Sequence, residues 1–333
     1  MVSNEKFNLR LFVILIMVMA VILFPRFDRL DRFGIDQYTT SGKAATKVLA
    51  DAEKYIAYVL YFRGEVGQEA LKSPWAYRPL PTFLASLLPL KPMTAINLVN
   101  FIFLSLGLFY LMKTLALIGV APAAIKLGGA MYVVSFPVFF YGSIGYIDPI
   151  LVGMLCISQY LILKGRNILF FIFLILGAFV KEPYIIVLPA WLAYQYALPK
   201  RKYLPPFLIA GFAFIAFLTT LYLIRTITPV DPNYFWIPKK TYIDFNLYRA
   251  NSWITTMITL MPIGLIASWY CLKKNTLLFR QADTLSFAVG FVGSVAVLMY
   301  SFFTVYVDGR YIWIAYPFMI PLACMYYSEK TRK

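Results

Sequence analysis

Histidine is absent from this 333-residue chain, and charged residues are scarce at 14 %. Without an imidazole, Ser-His-Asp triads, HExxH zinc sites, haem–His ligation and His-based acyl transfer are excluded. Cysteine occurs three times, as Cys156, Cys271 and Cys324. These lie far apart in apolar runs, a spacing that suits packing residues rather than a metal or disulfide set. Acids are the scarcer sign of charge, with 15 Asp and Glu against 31 Lys and Arg and a formal net charge of +16. Apolar residues are abundant, at 61 %. A soluble globular protein is about 45–50 % apolar and about 25 % charged. The excess must face lipid, which excludes a soluble enzyme, a disordered chain and a secreted disulfide scaffold.

A spanning helix needs about 20 apolar residues. The sequence predicts an all-α integral membrane protein of about ten such helices, near 9–25, 94–112, 123–141, 147–163, 167–180, 183–198, 204–224, 252–271, 284–305 and 311–327. The whole chain, 1–333, reads as a single polytopic domain. The first span is followed by Pro25-Arg26-Phe27-Asp28 rather than a small-residue cleavage site, so it reads as a signal anchor. With both termini cytoplasmic, the inside segments carry 15 basic residues, among them Lys113, Lys164, Lys200, Arg201 and Lys273. They carry three acids, Glu5, Asp283 and Glu329, and the short outside loops are nearly free of basic residues. The net charge therefore reflects sidedness and contact with anionic lipid, not nucleic acid binding.

Two outer loops are large, at 26–93 and 225–251. Apolar residues over 43–63 recur with a helical period, which predicts an amphipathic helix on the membrane surface. Lys43, Lys47, Asp51, Lys54 and Tyr58 share its polar face, and Glu53 sits to one side. A second, shorter surface helix is expected over 80–90, too short to span and rich in Pro. The second loop is rich in aromatics and Pro and reads as a cover for an acceptor or as a structural lid. The remaining outside charges concentrate at span ends: Asp148, Lys181, Glu182, Asp308 and Arg310. Acids and bases converging at one face of a bundle can hold an anionic group and still supply a proton acceptor. The plainer reading is a set of snorkelling, mutually paired rim charges.

At these residues the chain resembles the GT-C superfamily of integral-membrane glycosyltransferases, of the aminoarabinose transferase and protein O-mannosyltransferase type. Asp51-Ala52-Glu53-Lys54-Tyr55 is similar to the family's acidic motif, with Ala52 where many members have a second acid. Tyr77-Arg78-Pro79-Leu80-Pro81 and the following Leu84-Ala85-Ser86-Leu87-Leu88 look like its loop-closing surface helix. Asp148-Pro149, then Gly177-Ala178-Phe179-Val180-Lys181-Glu182-Pro183, resemble its Asp-led span and its Lys-containing break. Gly309-Arg310-Tyr311, with Pro317 and Pro321, looks like its basic late span.

The resemblance implies inverting transfer of a sugar from a polyprenyl-phosphate donor to a glycan, lipid or protein acceptor, at the outer face of a prokaryotic plasma membrane. It implies Asp51 as general base, with Glu53 the runner-up. Arg310, then Lys181 and Arg78, are expected to hold the phosphate. Asp148 is expected to orient Lys181 or bind acceptor hydroxyls, and Glu182 to belong to the same substrate-binding set. Tyr55, Tyr77, Tyr146, Tyr306 and Tyr311 are rings that could stack on sugar or belong to the interfacial aromatic belt. The resemblance makes no cofactor certain. A divalent cation, Mg or Mn, would find Asp51, Glu53 and Asp148 as its available ligands. The competing readings are a lipid or sugar-lipid transporter, or flippase, and a non-catalytic membrane scaffold.

Overall fold

In the computed structural model, residues 8–28, 50–198, 204–230, 242–274 and 281–331 are described. Among them the chain is all-helical, with no strand. Proline starts much of it, because a residue without an N–H loses nothing in a first helical turn. It stands at N1 or N2 of five helices.

The first helix is α1 (Leu9–Leu23). Helices α2 (Ala50–Phe62) and α3 (Pro79–Ser86) follow in the expected first outer loop. Then come α4 (Pro92–Leu117), α5 (Pro122–Val133), α6 (Phe136–Tyr141), α7 (Asp148–Leu163) and α8 (Asn167–Ala178). A 3-10 turn, Glu182–Ile186, leads into α9 (Val187–Ala197). The rest comprises α10 (Leu204–Ile227), α11 (Ile243–Tyr248), α12 (Ala250–Leu260), α13 (Ile263–Lys273), α14 (Ala282–Thr304), α15 (Arg310–Trp313) and α16 (Tyr316–Thr331).

Among the described residues five segments are long and apolar enough to cross a membrane: Leu9–Arg26, Pro92–Leu117, Pro122–Tyr141, Leu204–Ile227 and Ala282–Thr304. A sixth is formed if α12 and α13, bent by 61° at their junction, count as one. The other expected spans are helical but short. Helices α7 and α16 have 16 residues each, α8 has 12 and α9 has 11. Their setting accounts for the apolar signal. Every residue of α7 except Tyr160 is buried inside the protein, so its composition reflects helix neighbours rather than lipid.

Helix α7 lies against α4 in the most extensive pairing of the fold. Gly153 makes the approach close. A Cβ there would stand 2.2 Å from the Phe103 carbonyl oxygen, so only glycine lets the two backbones meet. Helices α9 and α14, α13 and α16, and α5 and α16 pack around this centre. At the periphery, α1 and α10 keep most of their apolar side chains exposed.

The surface helices sit near their expected places with altered limits. Helix α2 is described over Ala50–Phe62; Lys43 and Lys47 lie outside the described residues. Tyr58 is not on a polar face. It is buried against Leu71 and Ala76 and stacks on Phe62 with ring centroids 4.7 Å apart, because residues 64–77 fold back over that side of the helix. Helix α3 ends at Ser86, four residues early. The Arg63 guanidinium donates to the carbonyls of Ser86, Leu88 and Leu90, satisfying groups that a longer helix would have paired internally.

Candidate functional site

Helices α4, α7, α14 and α16 run between two ends of the bundle, and the turns at one end carry the buried charges. Asp148 opens α7, where a carboxylate complements the helix dipole. The loop leading to it is fixed by two asparagines on α4. Asn97 donates to the carbonyls of Phe27 (3.0 Å) and Ser143 (3.2 Å) and accepts from the Gly145 N–H (3.0 Å). Asn100 donates to the Tyr146 carbonyl at 2.7 Å.

Lys181 and Glu182 stand where α8 ends, since Pro183 cannot continue it. The Leu80 N–H donates to the Phe179 carbonyl at 3.1 Å, which ties the start of α3, and so Arg78, to this break. Asp308 and Arg310 follow α14. Their loop is held by Asn246 of α11, which donates to the carbonyls of Phe302 and Val305 (2.8 Å each) and accepts from the Val307 N–H (3.0 Å). Gly309 admits α12. Its N–H donates to the Thr255 hydroxyl at 3.2 Å, and a Cβ would strike the Thr259 hydroxyl at 2.3 Å.

These turns bring their side chains together. Arg310 donates through Nη1 to Asp51 Oδ2 of α2. Asp308 Oδ1 accepts from the Arg310 backbone N–H at 3.0 Å and lies 3.3 Å from its Nε. The Arg310 guanidinium also faces the rings of Tyr146 (4.7 Å) and Tyr311 (5.3 Å). Lys181 Nζ pairs with Asp148 Oδ1 at 2.5 Å and lies 5.5 Å from the Tyr311 ring, so Tyr311 stands between two ion pairs. One helical turn beyond Asp51, Tyr55 accepts from Arg78 at 2.7 Å. Arg78 reaches Glu182 Oε2 at 3.5 Å, and Arg225 at the end of α10 reaches Glu182 Oε1 at 3.4 Å.

Electrostatics separates the carboxylates. Burial would raise Asp51, but the Arg310 guanidinium, with Arg78 and Lys181 further off, outweighs it and holds the carboxyl below its ordinary range. Glu182 is likewise lowered, burial being overcome mainly by Arg78. Asp308 moves the other way. Burial pushes it up, Asp148 and Asp51 add to the rise, and Arg310 only partly offsets them. Burial and the neighbouring guanidinium groups lower Lys181 against the pull of Asp148.

Asp51, Tyr55, Arg78, Asp148, Lys181, Glu182, Arg310, Tyr311 and Tyr146 therefore belong to one cluster. Tyr77 is at its edge, 5.8 Å from the Arg225 guanidinium. Glu53 stands apart. Its carboxyl is raised by burial, and among the described residues Lys54 is the one charge acting on it and none hydrogen-bonds its buried Oε1. Tyr306 is also elsewhere, against Arg249 and Phe245. The expected metal set does not fit. Among the described residues no three acidic, Cys or His side chains gather to hold an ion, and Asp51 and Asp148 each already face a cation.

Four contributors have no individual role in the sequence reading. Asp308 counts there only as one of the charges at span ends, with no sign that it shares the Arg310 guanidinium. Arg225 has no motif around it. Asn97 and Asn246 carry no motif, and their roles emerge only from the loops they pin. No protein-family model, curated protein or solved structure matches this chain.

Proposed function

We infer that this chain is a membrane glycosyltransferase that moves a sugar from a polyprenyl-phosphate donor to an acceptor hydroxyl. The observation that carries the reading is the meeting of Asp51 with Arg310, 259 positions apart, inside a buried cluster of acids and bases. Taking such charges out of water costs several kcal/mol per ion, an expense a purely structural rim would avoid. Tyrosines line the cluster, and apolar helices give a lipid tail a place to lie.

Arg310, supported by Lys181 and Arg78, takes the donor phosphate. The phosphate competes with Asp51 for the guanidinium. As Arg310 turns to it, Asp51 loses the cation that keeps it a weak base. The freed carboxylate then accepts the acceptor's hydroxyl proton while the acceptor oxygen bonds to the anomeric carbon and the carbon–phosphate-oxygen bond breaks. Attack from the face opposite the phosphate inverts that carbon. In this reading the chain crosses a prokaryotic plasma membrane ten times, with both termini cytoplasmic and the charged end outward.

The 61° bend between α12 and α13 favours a different reading, a lipid or sugar-lipid transporter, since broken spans mark substrate paths there. One assay separates them. Protein in nanodiscs is given a panel of polyprenyl-phosphate sugars and candidate acceptors. Wild-type protein should release polyprenyl phosphate, and Asp51→Asn should lose release while remaining folded. Movement of labelled lipid between leaflets without phosphate release is the result a transporter gives.

A further inference from the structure

The charged end is already balanced. Among its described residues four carboxylates, Asp51, Asp148, Glu182 and Asp308, face four cations, Arg78, Lys181, Arg225 and Arg310. Arg225 is the least effective of these, with its head 54 % exposed, so the enclosed part leans negative. A phosphodiester brings one more negative charge. It can enter a buried site only if an existing negative charge leaves, since an uncompensated buried anion shifts its equilibrium toward the neutral form.

Asp308 is the carboxylate placed to give way. Its Oδ1 is fixed by the Arg310 N–H, and it shares the Arg310 guanidinium with Asp51 rather than holding a cation alone. The charged groups acting on it are Arg310 of its own segment, Asp148 of α7 and Asp51 of α2. Tyr141, Tyr146 and Tyr311 also lie within its field. Its neighbour Gly309, not Asp308 itself, is what meets the neutral threonines Thr255 and Thr259 of α12. Among the described residues one cation and two acids act on it, whereas Asp148 pairs with Lys181 and Glu182 with two arginines.

We propose that Asp308 takes up a proton as the anionic donor docks on Arg310, and passes that proton to the phosphate oxygen as the sugar departs. This rests on the transferase reading and adds an acid to its base. The bond from the anomeric carbon to the phosphate oxygen breaks and the bond to the acceptor oxygen forms. The acceptor's proton goes to Asp51, and the Asp308 proton goes to the leaving phosphate, which departs as a hydrogen phosphate monoester. Asp51 then returns its proton to solvent. Two carboxylates with environments that push them in opposite directions thus divide the acid and base roles.

The test is calorimetric binding of farnesyl methyl phosphate, a diester without a titrating group near neutral pH, to the full chain in nanodiscs. Buffers of different ionisation enthalpy report the protons exchanged. Wild-type protein should take up about one proton per ligand near pH 6.5, Asp308→Glu should preserve uptake, and Asp308→Asn should abolish it. The donor affinity of Asp308→Asn should then become independent of pH. Binding without uptake by wild-type protein overturns the proposal whatever the variants do, as does unchanged uptake in Asp308→Asn. If polyprenyl phosphate is still released from donors in either case, the transferase reading stands. If wild-type protein neither binds the diester nor releases phosphate from any donor, that reading fails and the Asp308 role with it.

Discussion

The two ends of the bundle treat charge differently. At the far end, beyond the other termini of α4, α14 and α16, Glu329 accepts from Tyr270 at 3.1 Å and pairs with Lys274 at 3.0 Å. Glu329 is 45 % exposed, and the pair borders an open cavity of about 420 Å³ that Asp283 and Ser328 also line. At the site end, Asp148 and Lys181 are 3 % and 9 % exposed and are enclosed by further charges. A surface pair contributes about 0–1 kcal/mol and is screened by salt, whereas a buried pair leaves a stranded ion if either member is lost. One end can lose a charge with little consequence. The other holds its charges as a set.

Arg310→Ala should have the largest effect, because it strands Asp51 and Asp308 together. We expect a loss of about 3–5 kcal/mol in stability, read by thermal unfolding in detergent, and no detectable phosphate release. Retention of both would erase the contrast between the ends. Lys181→Met should lose a similar amount. The double variant Asp148→Leu/Lys181→Met should recover most of that loss, since an apolar pair of similar volume replaces a buried ion pair at little cost. A double variant no more stable than the single one would mean the two charges do not act as a pair.

Asn246→Ala should destabilise by about 1–3 kcal/mol, by leaving the Val307 N–H and two carbonyls to find new partners. It should also weaken donor binding, measured by calorimetry, because Asp308 and Arg310 stand at the end of the loop it holds. The pH dependence should differ between the ends as well. Asp51 and Glu182 are lowered in the folded state, so their contribution is complete above the unfolded carboxylate range near pH 4 and is lost as pH falls through their folded values. Acid unfolding followed by circular dichroism should show this drop, and Arg78→Met should remove the Glu182 share of it. Smallest is Lys274→Ala, expected to change stability by less than about 1 kcal/mol.

Much of this contrast was legible in the sequence. Asp51, Arg78, Asp148, Lys181 and Arg310 could be named because charge is rare in an apolar chain and therefore conspicuous at span ends. The helical class and the two surface helices followed from period and composition. Of the ten expected crossings, five or six are matched among the described residues by helices long and apolar enough to span. An apolar run records burial without saying whether lipid or protein does the burying, and α7 is buried by protein. Tyr58 was misplaced because residues 64–77 return over α2, which no local pattern announces. Asp308 and Asn246 went unassigned for a related reason. Their partners are 2 to 61 positions away, and a single sequence does not mark which turns meet.

Helix α10 holds to the rest of the protein by a thin seam: Pro206, Ala210, Phe217 and Ile224 are its buried residues out of 24. At its site end, Arg225 rests on the rim through Glu182 and the Tyr77 ring. It is thus built like a door panel hung on a narrow edge, with Arg225 as the latch. In the transferase reading proposed above, a lipid-linked donor arriving from the side would have one panel to swing rather than a bundle to prise apart, and the latch is tied to the same glutamate that steadies Arg78.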